Sequence, residues 1–318
     1  MRIPAPGTLS GPIVGQAERG GVSRLRAAYG AVVLAGCALT FVVIAWGGMV
    51  RATGAGLACP DWPLCNGSAV PEPTKLVLIE WGHRLIAGIL GFVIFFTTFG
   101  AWRWHRHDRG VLIPATLASV FVVIQIILGA ITVTADLSPQ IVSAHLGTSM
   151  LVLAMMLMTA AGLWRRPRLH RSASLRALPL VALFGAAMTY GLLLTGSYVV
   201  GSGAGAACRA WPECDGLPGA GDLVQVHMFH RTAVLLVGAV VAYTAWRAFQ
   251  ARRRLPALWN VAAAAVGIYA AQALIGAGNI WFGLVPAVQV AHLAAAAAMW
   301  SAMVLLATLA WRASAVEG

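Results

Sequence analysis

Charge is scarce in this 318-residue chain: Asp, Glu, Lys and Arg together make up only 10% of it. A soluble globular domain carries roughly a quarter charged residues, so the composition argues against a water-soluble fold. Acids are the rarer sign, 10 against 22 basic residues, and lysine is represented by Lys75 alone, which resembles the codon bias of a GC-rich genome. The formal charge of +12 would point to nucleic acid in a soluble chain. In a chain that is 59% hydrophobic, with a mean hydropathy of +0.80, nucleic acid is set aside, and the question becomes on which side of a membrane the charges lie. Residues 1–27 lack any apolar core, being rich in Gly, Pro and Arg. They read as a disordered cytoplasmic tail and not as a signal peptide. Missing too are the ten-residue alternating segments of a membrane β-barrel.

What the chain has instead is eight continuous apolar runs, near 28–50, 76–101, 111–133, 140–164, 177–199, 223–247, 257–280 and 287–311. Each is long enough to cross about 30 Å of hydrocarbon as a helix. Placing the tail, the turns after the second, fourth and sixth helices and the C-terminus on one side gathers 17 basic residues there and leaves five, Arg51, Lys75, Arg84, Arg209 and Arg231, on the other. With acids included the sides carry +14 and −2. The positive-inside rule then puts both termini in the cytoplasm of a multi-pass protein of the bacterial cell (inner) membrane.

An internal repeat gives this topology an architecture. His83, Arg84, Gln125, Gly129 and His145 recur as His230, Arg231, Gln272, Gly276 and His292 at an offset of 147. Gly54, Cys59, Trp62, Pro63 and Cys65 recur as Gly203, Cys208, Trp211, Pro212 and Cys214 at an offset of 149. Constant offsets of this kind mark a duplicated four-helix unit, and an even number of helices per unit keeps both copies in one orientation. The expected fold is therefore an all-α membrane protein of two four-helix bundles, 28–164 and 177–311, related by a pseudo-twofold axis along the membrane normal. A cytoplasmic linker, 165–176, joins them, and 312–318 forms a second cytoplasmic tail.

Of eight histidines, His105, His107 and His170 lie among arginines in cytoplasmic turns and read as solvated. The other five sit inside helices near the extracytoplasmic ends, where an ionisable group is costly and points to function. Each bundle supplies a pair at similar depth on its second and fourth helices, His83 with His145 and His230 with His292. Two imidazoles facing each other across a bundle core suit a tetrapyrrole with iron between them. Zinc and copper want three or four converging ligands, and copper remains the weaker competitor. Gly82, Gly88, Gly129 and Gly147 either make room for a flat macrocycle or serve close helix packing. Arg84 and Arg231 are candidates for propionate contacts or for snorkelling to the headgroups, while Gln125 and Gln272 read as interhelical hydrogen-bond formers.

The repeat is informative where it fails. Glu80 precedes His83 by three residues on one helical face, and its counterpart is His227; Arg51 has Val200 as counterpart. A carboxylate in one copy only suggests that one site reacts while the other serves it with electrons, unless Glu80 simply partners a nearby arginine. The loop pairs Cys59/Cys65 and Cys208/Cys214 lie on the oxidising side and favour disulfides, structural or redox-active. Cys37 has no partner and reads as a core residue.

The run Gly47-Gly48-Met49-Val50-Arg51-Ala52-Thr53-Gly54-Ala55-Gly56-Leu57-Ala58-Cys59-Pro60-Asp61-Trp62-Pro63-Leu64-Cys65, followed by Glu80-Trp81-Gly82-His83-Arg84, resembles haem A synthase, the bacterial relative of a mitochondrial assembly factor. The resemblance extends from about residue 28 to 311. It implies a membrane oxidoreductase that converts the C8 methyl of haem O to a formyl group, giving haem A for cytochrome oxidase. It further implies haem b on His230 and His292, substrate haem on His83 and His145, a catalytic need for Glu80, and a Cys59–Cys65 disulfide. Partners implied are haem O, the bilayer, an unidentified electron acceptor and, by pathway logic, the farnesyltransferase that makes haem O. Two other classes fit the histidine pairs alone: a di-haem b-type electron-transfer cytochrome and a haem carrier or transporter.

Overall fold

The computed structural model describes residues 13–164, 177–215 and 221–314, with the side chains of 13–26 outside that description. Among the described residues it is helical throughout, with no strand beyond a single bridge between Cys65 and Ser68. Eight helices carry the fold: α1 Ile13–Ala52, α2 Lys75–Trp104, α3 Arg109–Thr134, α4 Pro139–Leu163, α5 Leu178–Gly201, α6 Gly221–Gln250, α7 Pro256–Trp281 and α8 Pro286–Ser314. All eight are long and apolar enough to cross a membrane, α1 doing so from Ala27.

The helices begin where the sequence supplies start signals. Proline occupies the first turn of α4, α5, α7 and α8, where its missing N–H costs nothing. The Thr74 hydroxyl accepts from the Val77 N–H to cap α2, and the Asp108 carboxylate accepts from Gly110 to cap α3. α1 and α5 both end at a glycine in the left-handed region, Gly54 at φ 71° and Gly203 at φ 79°, a conformation that a Cβ would oppose. α1 begins at Ile13, well before the apolar run that starts near 28. Residues 1–12, the linker 165–176 and residues 315–318 lie outside the described residues.

Side chains are arranged for lipid. Large apolar residues point outward, Phe92 with 79% and Leu235 with 75% of their surface accessible. The interior of α5–α8 is built largely of small residues, including Ala182, Ala186, Ala262, Ala265 and Ala297. That pattern suits helices that associate by close packing in a medium as apolar as themselves.

Helix α1 packs on α2, α2 on α3, α3 on α4 and α4 back on α1; α5 to α8 close a second ring in the same way. The rings meet along α1, α4, α5 and α8. At that seam the Trp300 indole N–H donates to the Met150 carbonyl at 2.8 Å, Ser143 and Ser197 hydroxyls lie 3.0 Å apart, and Tyr190 tilts against Trp300.

Candidate functional site

The four paired histidines fall in the second or third turn of the even-numbered helices, His83 on α2, His145 on α4, His230 on α6 and His292 on α8. Even-numbered helices all run the same way, so all four rings lie toward one face of the protein. Each ring rests on a glycine of the preceding helix. A Cβ on Gly47 would stand 3.2 Å from Cε1 of His83, on Gly129 3.3 Å from that of His145, on Gly196 3.1 Å from that of His230, and on Gly276 3.0 Å from that of His292. His83 acts electrostatically on His145 and His292 on His230, so the members of each pair lie within range of each other's charge.

The polar partners define which ring nitrogen is free. The Gln125 amide nitrogen lies 3.0 Å from Nε2 of His145, and that of Gln272 3.3 Å from Nε2 of His292. An amide nitrogen only donates, so in both rings Nε2 accepts and its lone pair is taken by the glutamine, leaving Nδ1 as the nitrogen without a partner. Nδ1 of His83, His145 and His292 is buried with no hydrogen-bond partner, as are the Gln125 and Gln272 carbonyl oxygens. The Thr195 hydroxyl lies 2.8 Å from Nδ1 of His230 and 2.7 Å from the Leu192 carbonyl. Buried polar groups with too few partners, set on a floor of glycine, are what a site looks like when it is built for a group larger than its own side chains. Among the described residues no three of His, Cys, Asp and Glu converge, so the arrangement offers pairs of imidazoles and no three-ligand metal cage.

The loop between α1 and α2 is tied down by two side chains. Glu80, only 3% exposed, accepts the Cys59 N–H on Oε2 at 2.9 Å and pairs through Oε1 with Arg84 at 2.5 Å. Arg84 also donates to the carbonyls of Asp61, Leu64 and Cys59, each at 2.7 Å. These four bonds use all the hydrogens on its two terminal nitrogens, which leaves the candidate propionate contact no free Nη donor. The sulphurs of Cys59 and Cys65 are bonded, as are those of Cys208 and Cys214. Asp61 accepts from Gly67 and Asn66, and these backbone N–H groups, with Arg84 nearby, hold its carboxyl below the usual carboxylate range. The contribution is present above the ordinary carboxylate pKa and fades only as pH falls through the lower folded value, so the loop stays pinned at neutral pH.

The loop between α5 and α6 repeats the plan with different chemistry. Arg231 donates to the carbonyls of Ala210, Pro212 and Glu213. His227, in the place of Glu80, is buried with Nδ1 2.9 Å from the Ala204 carbonyl, so here an imidazole joins helix to loop. Trp46, on α1, donates from its indole to the Ile79 carbonyl and lies on Gly82. Its counterpart is Thr195. Where Trp46 fills the space between α1 and α2, the α5–α6 side holds a cleft of about 540 Å³ lined by Leu194, Thr195, Tyr198, Gln225, Val226 and Phe229.

Of the four glycines that the sequence places beside the first histidine pair, only Gly129 touches a histidine, as its repeat partner Gly276 does in the other copy. Gly82 receives Trp46, Gly147 receives Tyr190 at the seam between the rings, and a Cβ on Gly88 would meet nothing within 4 Å. Arg51 reaches across the seam toward the Val200 carbonyl at 3.5 Å. Cys37 is buried and free; His105 stacks on Tyr29, His107 accepts from Arg106, and His170 lies outside the described residues. Gly47, Gly196, Thr195 and Trp46 were missed. Both glycines were within reach of the repeat, since they differ by the same offset of 149 as the cysteine loops.

Eight apolar helices with two internal histidine pairs define a multi-pass helical membrane protein. Comparison with known proteins is more specific. The profile of the family described as cytochrome oxidase assembly protein matches residues 30–76 and 72–304. Heme A synthase of Geobacillus kaustophilus is 30% identical over 267 residues, covering 80% of this chain and 82% of its own. That of Halalkalibacterium halodurans is 34% identical over 212 residues, 63% of this chain and 70% of its own, and that of Bacillus licheniformis 29% over 260, 78% and 85%. The chain belongs to the haem A synthase family of cytochrome oxidase assembly proteins.

Proposed function

We propose that this protein oxidises the C8 methyl group of haem O to a formyl group, making haem A for cytochrome oxidase. The observation that carries the reading is the asymmetric duplication: two buried histidine pairs on matching helices, with the carboxylate Glu80 one turn from His83 and an imidazole, His227, one turn from His230. In this reading the chain is a duplicated four-helix unit with an axis along the membrane normal, which the paired cysteine loops, left-handed glycines and glycine-seated histidines support. His83 and His145 bind the substrate haem. His230 and His292 would hold haem b, and the glycine floors beneath both rings fit such a group. Bound there, haem b supplies one-electron relay chemistry.

Converting a methyl to a formyl group removes four electrons and four protons and takes its oxygen from one added water: R–CH3 + H2O → R–CHO + 4e⁻ + 4H⁺. The electrons leave to the unidentified acceptor, and a singly hydroxylated haem is the halfway product. Charge that develops at the C8 carbon is stabilised by a buried anion nearby. Glu80, held by the Cys59 N–H and by Arg84, is placed to supply that charge or to accept the proton. The arginine distribution orients the site toward the extracytoplasmic face with both termini cytoplasmic. The farnesyltransferase that produces haem O is the natural upstream partner.

The test is pigment extraction from purified protein, separated by chromatography. Haem A or its hydroxylated precursor beside haem b supports the enzyme; haem b alone in protein from cells making haem O would make it a di-haem cytochrome. Glu80→Ala retains haem b and accumulates haem O or the hydroxylated species, and undiminished haem A from that variant would remove Glu80 from the mechanism. His230→Ala loses the haem b spectrum.

A further inference from the structure

The two histidine pairs differ in how their even-helix imidazoles are held, and the difference traces to one substitution in the repeat. Thr195 has a single hydroxyl hydrogen. Its geometry with Leu192, 2.7 Å to the carbonyl three residues back, takes that hydrogen. Toward His230, 2.8 Å away, the hydroxyl therefore accepts, and Nδ1 of His230 carries the ring proton. Nε2 is left as the lone-pair nitrogen. In the other copy the same position is Trp46, whose indole N–H is directed to the Ile79 carbonyl, and Nδ1 of His83 is buried without a partner.

We propose that Thr195 is a positioning residue for His230: its hydroxyl fixes the tautomer and the ring plane and, by accepting the Nδ1–H, makes the imidazole a stronger donor at Nε2. This deepens the assignment of haem b to His230 and His292 and rests on it. A ligand-orienting partner of this kind raises ligand basicity, and its loss typically lowers metal-site affinity or activity by about 10-fold to 100-fold. A more basic imidazole favours ferric over ferrous iron, so Thr195 lowers the midpoint potential of the group it serves. His83 has no such partner, which suits a site that must release its haem after each conversion.

The variants are Thr195→Val, which keeps the shape and removes the hydroxyl, and Thr195→Ser, which keeps the hydroxyl. Full-length protein is purified with its haem, titrated spectroelectrochemically, and its low-spin ferric signal recorded by electron paramagnetic resonance. Thr195→Val raises the midpoint potential by about 59 mV, a tenfold change in a one-electron equilibrium, and shifts the low-spin signal. Thr195→Ser keeps both at their original values. Loss of haem from the valine variant with retention by the serine variant supports the same role. An unchanged potential and signal in Thr195→Val, or an equal change in Thr195→Ser, overturns the proposal. Absence of haem b from the unsubstituted protein, or its retention by His230→Ala, instead overturns the site assignment beneath it.

Discussion

Replacing Glu80 by Gln and Arg84 by Met, singly and together, weighs the ion pair that fastens the α1–α2 loop to α2. The side chains are 4% and 15% exposed, so solvent screens the pair little. Arg84→Met leaves the Glu80 charge buried with only the Cys59 N–H as partner and orphans three loop carbonyls; breaking a buried pair this way costs about 3–5 kcal/mol. Glu80→Gln keeps an acceptor for Cys59 but turns one charge-assisted hydrogen bond into a neutral contact, a loss of about 1.5–3 kcal/mol. With Arg84 already gone, the same Gln substitution removes a lone buried charge, so the double variant is more stable than the two single losses added together by about 1.5–3 kcal/mol. Reversible unfolding in mixed detergent micelles, followed by far-ultraviolet circular dichroism, measures all four corners of the cycle. Additivity within about 0.5 kcal/mol would refute the pairing as a stabilising interaction. The cycle also separates fastening from catalysis: if Glu80 only holds the loop, turnover should follow stability across the four proteins, whereas the proposed electrostatic role predicts that Glu80→Gln loses haem A production while the loop remains folded.

Two further substitutions test the architecture elsewhere. Gly276→Val introduces a side chain whose Cβ alone would lie 3.0 Å from His292, so the ring is displaced and haem b is lost from purified protein; full retention with an unchanged spectrum would show that the glycine is not a floor for the ring. Trp300→Phe removes the indole N–H that meets the Met150 carbonyl across the seam; that carbonyl keeps its bond within α4, so the loss is one net hydrogen bond of about 0.5–1.5 kcal/mol, read as a lower Tm in detergent. A Tm equal to that of the unsubstituted protein would mean that the seam does not depend on this bond.

Much of the fold was legible because the bilayer imposes one length on every span. Apart from the start of α1, the eight apolar runs differ from the helices by only a few residues at their ends, and the repeat offsets pair the cysteine loops that prove to be disulfides. The start of α1 was not legible, since an apolar run marks where a helix enters lipid and not where it begins. At the site, residue type announced the histidines and the break in the repeat announced Glu80. What those residues touch was hidden: Glu80 serves the Cys59 N–H, and Arg84 serves three carbonyls that no pattern of side chains encodes. Thr195 escaped notice because a threonine in an apolar helix ordinarily bonds its own backbone, and here it does that and more.

The seating of the four histidines carries a consequence for how the sites come into being. Every contact that aims a ring is made by the helix immediately before it in the chain: Gly47 on α1 for His83, Gly129 and Gln125 on α3 for His145, Gly196 and Thr195 on α5 for His230, Gly276 and Gln272 on α7 for His292. The protein is thus four helical hairpins, each carrying one imidazole already set in its cradle. A hairpin that enters the membrane as a pair of helices arrives with its ligand aimed, before any other hairpin is made. Closing a ring then requires only that two finished hairpins meet.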